Sequence, residues 1–217
     1  RAAWKRAFDD FLVRHVGADV DLFDAVADYL EYVDGKPRYD GVRSFLASRG
    51  ISIAEGTPAD PPSVDTVCGM GNRKNAEFLA HMATYGARSY PATLRLIDEL
   101  RQVGLRIGLI TSSRNASVVL EAAGVGDIFD VTIDGEVAAE RGLPGKPSPA
   151  VFLTAAGDLG VDPPRAVVVE DAIAGVAAGR AGGFGLVMGV ARHGNTVELL
   201  TAGADLAVVS VTGRGPR

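Results

Sequence analysis

From Arg1 to about Tyr85 the apolar positions fall at helical spacing. Trp4, Phe8, Phe11 and Leu12 open the series, Leu22, Val26, Tyr29, Leu30 and Val33 continue it, and Phe78, Leu79 and Met82 close it. Recurrence every three to four residues lines such positions along one helix face, so this half is expected to form a small helical unit. Two segments interrupt it. VDGKPRYDG (residues 33–41) is a turn-rich loop with the cations Lys36 and Arg38, and GTPADPPSVD (56–65) is kept out of regular structure by its Pro and Gly. From Pro91 onward short apolar runs alternate with amphipathic segments. LRIGLI (105–110), FDVTI (129–133), AVVVE (166–170), GLVMGV (185–190) and DLAVVSV (205–211) are separated by helical stretches, and TLRLIDELRQV (93–103) precedes the first. Runs of Val, Ile and Leu alternating with helices predict an α/β unit: a Rossmann-like parallel sheet with helices on both faces. The expected division is a helical domain over residues 1–86 and the α/β domain over 87–217.

Composition narrows the partners. The 217 residues are 47% hydrophobic and 23% charged, which suits a packed globular protein. With 22 basic against 27 acidic residues, a net charge of −5 and no basic block, an electrostatic nucleic-acid binder is disfavoured. No apolar run approaches the roughly eighteen residues of a membrane span. The single cysteine, Cys68, cannot close an intramolecular disulfide and is compatible with a reducing cytoplasm. Oligomeric state leaves no mark in the sequence.

Ligands of open parallel sheets bind beyond the carboxyl ends of the strands. The polar chemistry of this chain gathers there. LRIGLI is followed by Thr111, Ser112, Ser113, Arg114 and Asn115, a group of hydroxyl, guanidinium and amide donors suited to a phosphate; a helix cap is the competing reading. Lys146 stands in the Pro- and Gly-punctuated loop GLPGKPSPAVF, where a solvated lysine is the plain alternative. AVVVE ends in Glu170 and is followed at once by Asp171. Adjacent carboxylates repel, and a divalent cation is the simplest device that makes their proximity favourable, although Asp171 could equally cap the next helix.

In this order on successive strand ends, Thr111, Lys146 and Glu170-Asp171 resemble the haloacid dehalogenase superfamily of phosphoryl-transfer enzymes. KPSPAVF followed by VVVEDAIAGVAAGRAGG, with TSSRN upstream and GNRKNAEF in the helical half, resembles its beta-phosphoglucomutase branch. The resemblance runs along nearly the whole chain. It implies that the helical half is a cap domain over a catalytic core, that Thr111 and Lys146 orient and neutralise the phosphoryl group, and that Glu170 and Asp171 hold Mg2+. It also implies a second phosphate site for a sugar bisphosphate, made by Ser113, Arg114 and Asn115 on the core with Arg38 on the cap, and it matches Lys74 and Asn75 to the cap's substrate residues. The family's usual lysine is Arg114 here, which keeps the charge but changes donor geometry.

One departure bears on the chemistry. The family uses an aspartate nucleophile in an Asp-x-Asp motif at the end of its first core strand. The one candidate here, Asp19-Val20-Asp21, follows a helical stretch and not an apolar strand. RAAWKRAF instead resembles the family just after its nucleophile loop, so roughly fifteen to twenty-five residues, a strand and its loop, are expected ahead of Arg1. The expected function is Mg2+-dependent phosphoryl transfer through an aspartyl-phosphate, most nearly interconversion of beta-glucose 1-phosphate and glucose 6-phosphate. A sugar-phosphate phosphatase of the same superfamily is the alternative, and a noncatalytic phosphate-binding domain is the third reading if the nucleophile segment is absent.

Overall fold

The computed structural model describes residues 1–87 and 89–211. The chain divides into two compact units, one of Arg1–Asp34 with Arg38–Gly86, the other of Gly35–Pro37 with Ala87–Arg217.

The first unit packs three helices, α1 (Ala2–His15), α2 (Arg38–Ser48) and α3 (Val67–Tyr85). On α1 the residues Trp4, Phe8, Phe11 and Leu12 form one face and are buried. They meet Phe45 and Leu46 of α2 and Val67 and Met70 of α3 in a single apolar cluster. The rings of Phe8 and Phe45 stand 4.2 Å apart, and Phe23 lies 5.0 Å from each. Thr66 starts α3 by accepting the Gly69 N–H at 3.0 Å, and Gly86, at φ 66°, ends it.

The helical pattern through Leu22, Val26 and Leu30 yields only a π-helical turn, Tyr29–Val33, preceded by irregular chain. Local carboxylates explain the difference. Asp24 accepts the N–H groups of Val26 and Ala27 at 2.7 Å, Asp28 accepts that of Asp24 at 2.8 Å, and such side-chain bonds compete with a helix ladder. Phe23 is fixed from both sides instead, its N–H donated to Asp9 and its carbonyl accepting from Lys5, each at 2.9 Å.

The second unit alternates helices and strands: α4 (Pro91–Gln102), β1 (Gly108–Ile110), α5 (Ala116–Ala122), β2 (Val131–Ile133), α6 (Gly135–Glu140), α7 (Ala150–Asp158), β3 (Val167–Glu170), α8 (Ile173–Ala181), β4 (Leu186–Val190), α9 (Thr196–Thr201) and β5 (Leu206–Val208). Every expected apolar run contains one strand, and all pairings are parallel. β1 pairs with β2 in the register Gly108 to Val131, while β3, β4 and β5 form a second ladder with Val167 opposite Leu186 and Met188 opposite Leu206. The two ladders share one core, in which Ile133 joins Val168, Val187, Val176 and Leu199. α7 packs on β1 and β2, and α8 on β3 and β4. No helix among the described residues is long and apolar enough to cross a membrane.

Candidate active site

The polar groups of the second unit gather in the segments that follow β1 and β3 and in the loop before α7. After β1, the main-chain N–H of Thr111 extends the ladder by donating to Ile133 at 3.0 Å. The Thr111 hydroxyl accepts the Ser113 N–H, and the Ser113 hydroxyl accepts the Asn115 N–H, both at 3.1 Å. A hydroxyl that accepts from the main chain still has its own O–H to donate. These bonds hold the Thr111 and Ser113 oxygens in place with a hydroxyl hydrogen each to donate, and the N–H groups they accept precede α5, so neither residue caps that helix. Gly135 braces this turn from below by donating its N–H to the Ser113 carbonyl at 2.9 Å, and a Cβ there would press on Ser112 and Arg114. Ser112 does other work, donating to the carbonyl of Gly35 at 2.7 Å.

Gly35 belongs to the same unit and also touches the acidic segment. Its φ is +73°, which favours glycine, and a Cβ would lie 2.8 Å from that of Ala172. The three-residue piece Gly35–Pro37 is thereby pinned between the turn after β1 and the turn after β3, immediately ahead of Arg38. The sequence reading gave Gly35 no role and counted Ser112 among the phosphate donors, because their contact joins positions 77 residues apart.

Glu170 and Asp171 are adjacent, yet they meet different surroundings. Successive side chains leaving a strand point to opposite sides. Glu170 is buried at 9% exposure and Asp171 has a half-exposed side chain. One Glu170 oxygen pairs with the ammonium of Lys146, itself 7% exposed, and the other accepts the N–H groups of Asp171 and Ala172 at 2.9 Å. Lys146 also sits 5.0 Å from the ring centre of Phe152. It is thus a buried lysine held in place, not a solvated one. Asp171 receives the guanidinium of Arg192 at 3.0 Å, and that guanidinium lies 4.0 Å over the Tyr90 ring. Each carboxylate has its own protein cation, which explains how the pair is tolerated side by side.

The small residues that follow the pair have a reason too. A Cβ on Gly175 of α8 would overlap the Glu170 carboxylate, so glycine alone lets the buried acid lie against the helix. Magnesium takes hard oxygen ligands, often one or two carboxylates together with waters and substrate phosphate. Asp171 fits that demand, since its remaining oxygen has solvent access. Glu170 fits as the acid beside it that already fixes Lys146. Among the described residues no cluster of three or more His, Cys, Asp or Glu side chains is placed to hold a metal.

The remaining candidates lie in the first unit. Arg38 is the first residue of α2, and Lys74 and Asn75 sit in α3, all partly buried. The Lys74 ammonium lies 5.1 Å from the Trp4 ring centre and 4.9 Å from that of Phe78. Burial, with a smaller push from the Arg38 charge, pulls its pKa down to about 8. Asp19 and Asp21 occupy an exposed irregular segment after α1 and not a strand end.

Thr111 directly after β1, Glu170 at the end of β3 and Lys146 in the loop before α7 are thus the polar groups of a parallel α/β core. Residues 29–183 match the haloacid dehalogenase-like hydrolase family, and the chain belongs to it. Within that family it falls in the beta-phosphoglucomutase-like branch, among phosphomutases and phosphatases. It is 42% identical over 215 residues to a beta-phosphoglucomutase of Mycobacterium tuberculosis (strain CDC 1551 / Oshkosh), covering 96% of this chain and 82% of that protein. Among solved structures, beta-phosphoglucomutase from Clostridium difficile has a TM-score of 0.74 at 23% identity, covering 99% of this chain and 86% of that one. A CbbY mutant from Rhodobacter sphaeroides in complex with xylulose-(1,5)bisphosphate has a TM-score of 0.67 at 26% identity, covering 96% and 87%.

Proposed function

We propose that the protein is a Mg2+-dependent beta-phosphoglucomutase, converting beta-glucose 1-phosphate to glucose 6-phosphate through an aspartyl-phosphate. The observation that carries the reading is the buried Lys146, locked to Glu170 at the end of β3. An ammonium held there neutralises charge on a transferring phosphoryl group without having to be reoriented during the reaction. Thr111 donates its hydroxyl hydrogen to a phosphoryl oxygen, and Glu170 and Asp171 would hold Mg2+, which would supply positive charge to the same group.

A mutase handles a sugar with phosphate at either end, so it needs a second anion site. Ser113, Arg114 and Asn115 are proposed to bind phosphate on the core, and Arg38, with Lys74 and Asn75, to bind substrate on the helical unit. The mutual repulsion of Arg38 and Lys74 supports this, because a phosphate dianion offsets it. The sugar bisphosphate held by the CbbY neighbour supports a ligand with two phosphates.

The test supplies beta-glucose 1-phosphate, Mg2+ and a trace of sugar bisphosphate to the protein, and measures glucose 6-phosphate and inorganic phosphate separately. Formation of glucose 6-phosphate supports the mutase. Phosphate release without isomerisation identifies a sugar-phosphate phosphatase. Neither product leaves a phosphate-binding domain. Arg38→Ala sharpens the division: a mutase loses most of its turnover, while a phosphatase acting on a small monophosphate keeps it.

A further inference from the structure

Arg192 was no part of the expected chemistry, yet it occupies the carboxylate at which Mg2+ is proposed to bind. Its Nε lies 3.0 Å from one oxygen of Asp171, and its side chain retains only 24% exposure against 50% for Asp171. The guanidinium is sandwiched, with Asp171 at its edge and the exposed Tyr90 ring against its face at 4.0 Å. Lys146 does not share this role, since it is committed to Glu170. The loop between β4 and α9 that carries Arg192 has a second unusual feature. Asn195 is 5% exposed, and among the described residues neither its side-chain oxygen nor its nitrogen has a hydrogen-bond partner. A buried amide left unpaired is destabilising, so the loop has more to gain from rearranging than a fully satisfied one.

We propose that Arg192 is a resident countercation for Asp171 that competes with a divalent metal for this carboxylate, with Tyr90 holding the guanidinium in place. Arg192 is then a positioning residue that keeps the metal-facing carboxylate paired and oriented when no metal is bound, and sets how tightly metal is taken up. Two cations cannot both occupy the same carboxylate edge at full strength, because each repels the other at a separation of a few ångströms. The arrangement rests on the metal-dependent reading of Asp171 but not on which sugar phosphate is turned over.

The experiment is a titration of the full chain with Mn2+ alone, following free metal by electron paramagnetic resonance, without substrate. Arg192→Ala should lower the Mn2+ dissociation constant about fivefold, the size expected for removing a partly exposed competing charge. Arg192→Lys, which keeps the charge, should stay within about twofold of the unaltered protein. Tyr90→Ala should shift the constant in the same direction as Arg192→Ala but by less. Asp171→Asn should abolish the site. A merely structural arginine would weaken metal binding when removed, so unchanged or weaker binding by Arg192→Ala overturns the proposal. Retention of binding by Asp171→Asn, or no Mn2+ bound by the unaltered chain, overturns it as well. Failure of the glucose 6-phosphate assay alone leaves these Mn2+ constants intact, so the two readings fail separately.

Discussion

The two units fill their interiors with different materials. The helical unit is built on large rings, Trp4, Phe8, Phe11, Phe23 and Phe45, whereas the α/β unit is built on Val and Ala, with Gly175, Gly179 and Gly189 where helices and strands press together. A few rings bury much surface per residue and tolerate irregular backbone around them, as the segment before Tyr29–Val33 illustrates. Small residues bury less each but let helices and strands come close, which a buried Glu170 wedged against α8 requires. Loss of a ring therefore threatens the first unit with a cavity, and an added methyl at Gly175 threatens the second with crowding.

The largest expected effect tests the aromatic side of that contrast. Phe8→Ala removes the ring at the centre of the helical cluster and should cost about 3–5 kcal/mol in urea unfolding. A cost below about 1 kcal/mol would mean that the cluster repacks like a small-residue core. Lys146→Met comes next. It strands Glu170 in a buried site with only two N–H partners, and should lower stability by on the order of 3 kcal/mol while removing turnover.

A matched glycine pair probes crowding. Gly175→Ala should destabilise by about 1–3 kcal/mol and displace Glu170 from Lys146. Gly41→Ala in α2 meets only Val33 and Trp4 at 3.4 Å or more, and its helix propensity improves, so it should be neutral or stabilising. Equal costs at the two glycines would erase the contrast.

The smallest effect is a pH dependence confined to the helical unit. The Lys74 pKa falls to about 8 in the folded protein against 10.5 unfolded. Between these values the unfolded chain binds more protons, so this residue's contribution makes stability rise with pH from about 8 to 10.5. Below about 8 the burial penalty is fully present. Subtracting the Lys74→Met profile from that of the unaltered protein should leave a rise of about 1–2 kcal/mol across that window. A flat difference would show that the ammonium is as well solvated folded as unfolded.

The strands were legible because parallel, two-sided burial writes itself as continuous runs of Val, Ile and Leu, and each run marked its strand. Thr111, Glu170 and Asp171 stood out for a related reason, as polar residues at the ends of such runs, whereas Lys146 stood out only as a cation in a Pro- and Gly-punctuated loop. The segment of residues 19–33 misled because Asp24 and Asp28 captured N–H groups that a helix would have used, and periodicity does not register that competition. Gly35, Tyr90, Arg192 and the purpose of Gly175 were illegible. Each acts through a contact whose partner is fixed by how loops and helices meet.

By itself the sequence determined the alternation of strands and helices and the kinds of polar group that follow the apolar runs. These depend on local spacing and on which side chains avoid water, quantities carried by neighbouring residues. Only the tertiary structure decided how Glu170 and Asp171 are made compatible. Lys146 lies 24 residues before Glu170 and Arg192 lies 21 after Asp171. Folding brought one cation to each acid, burying the first pair and leaving the second at the surface, because adjacent side chains leave a strand on opposite sides and meet different parts of the chain.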